Sequence, residues 1–210
     1  MPTKPTERDG MNNKYSKQFE DYLTKTPNRV ANGLSISDTI TGARGGRMDI
    51  IFDIDGTLLD ISHRLKYLGL DDSYGAHAPR AKPRASERWK KFRDPKLKRW
   101  DEPILPVIAT MTSLYDSGNV VILATGRVKS EGPDTIETLK TWVPYIDKLP
   151  LYMRDDKDYR PDFEVKLDIL KQIRDDGRNP TFAFDDRPSV IRMWREQGLL
   201  VADVGKGEEF

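Results

Sequence analysis

No cysteine occurs among the 210 residues. The chain therefore forms no disulfide, holds no thiolate zinc site and has no cysteine nucleophile, which excludes thiol-based phosphatase chemistry. Histidine is almost as scarce. Only His63 and His77 are present, neither in an Arg-His-Gly setting, so a histidine phosphatase is not expected. Long apolar runs are missing too: no stretch approaches the roughly 20 residues that span a bilayer, and the polar N-terminus lacks the apolar core of a secretory signal. A cytoplasmic chain with no membrane partner is expected. Gly-x-x-x-x-Gly-Lys-Ser/Thr is also absent, and Gly205-Lys206-Gly207 does not supply it, so kinase activity is not predicted.

The net charge is only +1, but its distribution is uneven. Between Arg64 and Trp100 stand 12 Lys or Arg against 4 Asp or Glu, a block suited to an anionic partner. Residues 1–47 are rich in Pro, Thr, Asn and Gly, with one short amphipathic candidate in which Tyr15, Phe19, Tyr22 and Leu23 share a helical face. Two readings stand for this segment: a disordered tail, or an arm that packs on a partner subunit of a homo-oligomer.

From Met48 onward short apolar runs alternate with helical periodicity, the pattern of an α/β fold with a parallel sheet. The runs Asp49–Asp53, Val120–Ala124, Pro150–Met153, Thr181–Phe184 and Leu199–Val204 predict buried strands. Four helical faces lie between them, through Val107 to Tyr115, Ile136 to Val143 with Trp142, Val165 to Ile173, and Val190 to Trp194. All of these apolar positions are expected in the core. The roughly 45 residues before Leu105 show no clear strand and predict an insert, with one helix through Ser62–Leu68 and another around Trp89 and Phe92.

In open parallel sheets ligands bind beyond the carboxyl ends of the strands, so polar residues just after apolar runs deserve reading first. The first run ends in Phe52-Asp53-Ile54-Asp55-Gly56-Thr57. Carboxylates one residue apart point oppositely on an extended strand, and a turn at Gly56 is needed to bring both to one site. One acid can then attack phosphorus while the other moves protons. An acidic turn or a calcium-type loop is the competing reading, and the lack of further alternating oxygen ligands speaks against the latter. The second run ends in Thr125-Gly126-Arg127, where hydroxyl, backbone N–H and guanidinium can hold phosphate oxygens. The fourth ends in Asp185-Asp186-Arg187, an adjacent acid pair that suits a Mg²⁺ site or a helix cap. Lys166 lies near the start of the third helix, where a surface ion pair is the ordinary role.

Taken in order, strand-end Asp-x-Asp-Gly-Thr, strand-end Thr-Gly, helical Lys and strand-end Asp-Asp resemble the four signature motifs of the haloacid dehalogenase (HAD) superfamily. That resemblance implies a HAD-like Rossmannoid three-layer sandwich with a five-stranded parallel sheet in the order 5-4-1-2-3. It further implies a domain over 48–210 bearing a small, mainly helical C1-type cap insert at about 58–103. Asp53 would be the nucleophile and Asp55 the general acid and base. Thr125, Gly126, Arg127 and Lys166 would hold the phosphoryl group, and Asp53, the Asp55 carbonyl, Asp185 and Asp186 would surround Mg²⁺.

The stretches AFDDRPSVIRMWREQGL (Ala183 to Leu199) and PILPVIATMTSLYDSGNVVILATGR (Pro103 to Arg127), with Asp60-Ile-Ser-His-Arg-Leu, resemble the 3′-phosphatase domain of bacteriophage polynucleotide kinase/phosphatase. A phage-encoded chain would work in the host cytoplasm. The resemblance implies hydrolysis of nucleic-acid 3′-phosphates through an aspartyl-phosphate, and the basic block fits that substrate. Arg80, Lys82, Arg84, Arg88, Lys90, Lys91 and Arg93 belong to it, and Trp89 is available to stack a base. Arg187, Arg64, Arg88 and Trp89 are candidate substrate contacts. A nucleotidase acting on free (deoxy)nucleoside monophosphates is the alternative, and a non-catalytic nucleic-acid-binding module is the alternative of another class.

Overall fold

The computed structural model describes residues 47–68 and 87–207. The N-terminal candidate around Tyr15–Leu23 and the basic residues Arg80, Lys82 and Arg84 lie outside the described residues. The strands are β1 (Asp49–Phe52), β2 (Leu59–Asp60), β3 (Glu102–Pro103), β4 (Val120–Val128), β5 (Leu151–Arg154), β6 (Pro180–Asp185) and β7 (Leu200–Asp203). The helices are α1 (Ser62–Leu65), α2 (Glu87–Phe92), α3 (Pro95–Lys98), α4 (Leu105–Asp116), α5 (Gly132–Lys140), α6 (Asp162–Asp175) and α7 (Pro188–Glu196).

β1 is central because it can be buried on both faces. Ile50, Ile51 and Phe52 are fully buried, and the strand pairs in parallel with β4 on one side and β6 on the other. The sheet runs β5-β4-β1-β6-β7. Counted as the five strands of this sheet alone and read from its far edge, that is the expected order 5-4-1-2-3. Side chains alternate between faces. Ile50, Phe52, Val121 and Leu123 pack with Ile108 and Met111 of α4 and Leu139 of α5. Ile51, Ile122, Ala124 and Ala183 pack on the other face with Val165 and Ile169 of α6 and Val190 and Trp194 of α7. Three layers result.

Two corrections follow from local geometry. Trp142, expected in the core, is 44% exposed, because α5 ends at Lys140 and the helical periodicity does not carry past it. The insert, expected to lack strands, is closed at its base by the antiparallel pair of β2 and β3, two residues each and too short to leave a periodic signal. Above that pair Ile61, Trp89 and Phe92 form a separate small core with Leu65 and Leu68 against it.

β4 also runs further than its apolar stretch. Its pairing with β5 steps from Thr125↔Met153 to Val128↔Arg154, which leaves Gly126 and Arg127 in an irregular segment outside the regular register.

Candidate active site

Asp53 follows β1 directly, and its backbone N–H is held by the Phe184 carbonyl at 3.1 Å. The chain then reverses. Gly56 adopts φ +86°, and the Leu58 and Leu59 N–H groups both reach back to the Ile54 carbonyl. A Cβ on Gly56 would sit 2.0 Å from Asp186 Oδ2, so the glycine is required by space as well as by conformation.

The turn brings four acids and one ammonium together. Lys166, on the first turns of α6 and fully buried, places Nζ 3.0 Å from Asp53 Oδ1, 2.9 Å from Asp185 Oδ2 and 3.7 Å from Asp162 Oδ2. Burial opposes its charge, yet Asp185, Asp53 and Asp162 outweigh that and hold the ammonium protonated well above the usual lysine range. One cation cannot neutralise the whole cluster. Burial pushes the Asp53 carboxyl up despite Lys166, and Asp185 and Asp186 add to the rise. Asp186 is pushed up to about 7 by burial and by Asp185.

Asp53, Asp185 and Asp186 are all buried, with ligand oxygens within 4.8 Å of one another. An all-oxygen set with surplus negative charge fits a hard divalent cation such as Mg²⁺. The missing side chain at Gly56 is what lets the Asp186 carboxylate lie against the turn after Asp53.

Asp55 has a different environment. Its Oδ1 accepts hydrogen bonds from Arg64 Nη2 and Arg127 Nη2, each at 2.6 Å, and Arg127 Nε lies 3.1 Å from both carboxylate oxygens. Burial would raise the Asp55 carboxyl, but Arg127 and Arg64 overcome it and hold the group well below the usual carboxylate range. Asp101 braces both arginines: Arg64 donates to it from Nε at 2.7 Å and Nη2 at 2.9 Å, and Arg127 from Nη2 at 2.8 Å. His63 Nε2 lies 2.9 Å from Asp101 Oδ1, on the outer side of this network and away from the cavity lining.

The second-motif loop is fixed from below. Thr125 is fully buried, and its Oγ1 accepts from the Arg127 N–H at 3.2 Å. The Gly126 carbonyl accepts from Arg154 Nε at 2.9 Å, while Arg154 Nη2 donates to Asp162 Oδ1 at 2.7 Å. A Cβ on Gly126 would meet Asp162 Oδ1 at 2.3 Å. Arg187 Nη1 approaches Asp162 Oδ2 at 3.2 Å.

Asp53, Asp55, Arg64, Gly126, Arg127, Arg154, Asp162 and Arg187 line a cavity of about 40 Å³, room for about three waters. Six cations and five acids surround it, and Trp89, Phe92 and Arg93 of the insert form part of its wall. Lys98 contributes from α3, buried, with Nζ 2.6 Å from Glu131 Oε2, close enough for an ion pair but without hydrogen-bond alignment. Burial and Arg127 pull the Lys98 ammonium down.

Asp53, Asp55, Gly126, Arg127, Lys166, Asp185, Asp186, Arg187 and Arg64 thus converge on one place. Arg88 does not line the cavity and is exposed on α2. Trp89 is 6% exposed and packs edge-on against Phe92 with centroids 5.4 Å apart, so its ring faces are largely taken by the insert's own core. Asp101, Arg154, Asp162, Lys98 and Glu131 are members of the site that the sequence reading passed over. For two of them a signal existed: Arg154 ends the apolar run of β5, and Asp162 stands four residues before Lys166 on the same helix face.

The profile of the polynucleotide kinase PNKP phosphatase domain matches residues 84–209, more than half of the chain. The chain belongs to this family. The matched segment of this PNKP-type phosphatase domain contains Thr125, Lys166 and the Asp185-Asp186 pair, and Asp53 and Asp55 precede it. Among solved structures it is similar to a chain of a Pnkp1/Rnl/Hen1 complex, at 26% identity and TM-score 0.55, over 77% of this chain and 47% of that one. A chain of the Pnkp1/Rnl/Hen1 RNA repair complex matches at 24% identity and TM-score 0.56, over 98% and 58%. The chain thus spans about half the length of these relatives. A haloacid dehalogenase-like hydrolase of Streptococcus pneumoniae shares the fold at 17% identity and TM-score 0.54, over 77% and 87%. By that family match the domain is a HAD-type phosphatase.

Proposed function

We propose that this domain hydrolyses phosphomonoesters at nucleic-acid 3′ ends through an aspartyl-phosphate on Asp53, with Mg²⁺ as its cofactor. The observation that carries the reading is the Lys166 ammonium, buried and bridging Asp53 Oδ1 and Asp185 Oδ2. It opposes the burial that pushes the Asp53 carboxyl up, and the charge of a bound divalent cation would add to that opposition.

Asp53 attacks phosphorus, and the P–O bond to the leaving 3′-oxygen breaks as that oxygen takes a proton from Asp55. Water then attacks the acyl phosphate, gives its proton back to Asp55 and releases inorganic phosphate, restoring Asp53. Lys166, Thr125 and the Gly126–Arg127 backbone hold the transferring oxygens, with Arg187 beside them. Bound Mg²⁺, held by Asp53, Asp185, Asp186 and the Asp55 carbonyl, would neutralise charge on the phosphoryl group.

Arg127 and Arg64 hold Asp55 ionised, as the start of the base half requires, but so tight a pairing also leaves it weakly basic. The acid half needs a proton on Asp55, so the two guanidinium groups must give way. Incoming phosphate oxygens compete for the same N–H donors and supply that release.

Substrate choice is supported by the polynucleotide family and by exposed Arg88 and Lys90 on α2. The small cavity fits a terminal phosphoryl group rather than a whole nucleotide. Phosphate release should be measured with Mg²⁺ from 3′- and 5′-phosphorylated oligonucleotides and from 3′- and 5′-mononucleotides, for the native chain and Asp53→Asn. Preference for the 3′-phosphorylated oligomer, abolished in Asp53→Asn, is expected. Preference for a mononucleotide would make the domain a nucleotidase, and binding without release from any substrate would make it a non-catalytic module.

A further inference from the structure

Trp194 lies on α7 and is fully buried in the core beneath the sheet, as an aromatic residue of an amphipathic helix should be. Packing does not account for its indole N–H, which needs an acceptor when buried. That acceptor is Asp185 Oδ2, at 3.0 Å. A core tryptophan is thus bonded directly to an acid of the proposed metal cluster.

A carboxylate oxygen accepts about two hydrogen bonds. Asp185 Oδ2 has two donors, Trp194 Nε1 at 3.0 Å and Lys166 Nζ at 2.9 Å, whereas Oδ1 meets the Arg187 backbone N–H at 3.2 Å. Oδ2 is occupied, and Oδ1 is the oxygen with capacity left for a cation.

The two donors on Oδ2 differ in permanence. Lys166 is shared among Asp185, Asp53 and Asp162, and a phosphoryl group on Asp53 would draw it away. The indole has one N–H and is locked by packing on all sides. It holds Asp185 whichever carboxylate Lys166 serves.

We propose that Trp194 is a positioning residue of the metal site: its indole N–H fixes the Asp185 carboxylate so that Oδ1, and not Oδ2, is presented to the cation through the whole catalytic cycle. This rests on the metal reading given above, since it assigns a role around Asp185. Partners of this kind are worth roughly 10- to 100-fold in metal affinity.

The test is Mg²⁺ binding to the full chain by calorimetry, for the native protein, Trp194→Phe and Val190→Ala. Val190 is equally buried on the same helix face and has no polar atom to offer Asp185. Trp194→Phe should bind Mg²⁺ at least about tenfold more weakly, while Val190→Ala loses thermal stability and keeps native affinity. Equal affinity in Trp194→Phe and the native chain, or equal weakening in both variants, overturns the proposal. A native chain that binds no Mg²⁺ overturns the metal reading itself, and the role of Trp194 falls with it.

A measurement on the native chain covers the case in which Trp194→Phe does not fold. The four tryptophans give four indole N–H resonances, assignable by elimination from variants of Trp89, Trp100 and Trp142. The Trp194 resonance should move on Mg²⁺ titration with the calorimetric midpoint, and a resonance that stays fixed through saturation overturns the proposal.

Discussion

Arg64 and Asp101 are both buried and joined at two points, Nε to Oδ1 at 2.7 Å and Nη2 to Oδ2 at 2.9 Å, while the same Nη2 lies 2.6 Å from Asp55 Oδ1. An acid of the insert thereby sets the position of the cation that controls the second aspartate of the first motif. Removing one partner from a buried pair strands the other. Asp101→Ala leaves Arg64 and Arg127 without their brace and should cost about 3–5 kcal/mol in urea denaturation. It should also reduce kcat, because Asp55 loses its fixed partners.

Protonation of the acid cluster predicts an unusual pH profile for the metal-free protein. Asp186 holds its proton up to about pH 7 in the folded chain, and Asp53 is raised in the same direction. An unfolded aspartate releases its proton near pH 4. Between these limits the native state binds more protons than the unfolded state, so stability falls as pH rises, by on the order of a few kcal/mol. Thermal unfolding in EDTA should give a lower Tm at pH 8 than at pH 5. Mg²⁺ should raise Tm more at pH 8, and Asp186→Asn should flatten the dependence.

The two close glycines separate space from conformation. Gly126→Ala adds a Cβ 2.3 Å from Asp162 Oδ1, where no left-handed backbone is needed. Turnover should drop at least tenfold as Asp162 is displaced, with a modest loss of Tm. Gly56→Ala meets both Asp186 at 2.0 Å and the φ of +86°, so it should lose stability by roughly 1–2 kcal/mol from the backbone alone. Mg²⁺ protection against unfolding should vanish in that variant.

Salt separates the substrates. For a 3′-phosphorylated oligonucleotide, log kcat/KM should decline linearly with log salt, and Arg88→Ala should reduce that slope by about one if Arg88 meets a phosphate. A mononucleotide should show a far weaker dependence. Identical slopes for both would remove α2 from the substrate path.

How far the sequence was readable depends on range. The strands and helices could be placed because burial on both faces of a parallel sheet leaves continuous apolar runs, as in Ile50-Ile51-Phe52. Motif residues at strand ends were equally legible, since position along a run locates them. Asp101 was not, because it follows no apolar run and acquires meaning only when the insert folds back over Arg127, 26 residues later. Trp89 misled for a related reason. Its neighbours Arg88 and Lys90 are exposed, but one face of a six-residue helix buries it with Phe92 in a core completed by Ile61 and Leu65, far away in sequence. Trp142 shows the limit of periodicity at a helix end.

The order of the strands in the sheet has a consequence for synthesis. β1, which carries Asp53, is the first of the five sheet strands to leave the ribosome, yet it becomes the middle one. Its partner β4 begins at residue 120 and β6 only at residue 180, so Ile50, Ile51 and Phe52 emerge long before anything can cover them. About 130 residues are thus added between the apolar run of β1 and its partner β6, and a chaperone that shields that run during the interval would govern how much folded domain is made.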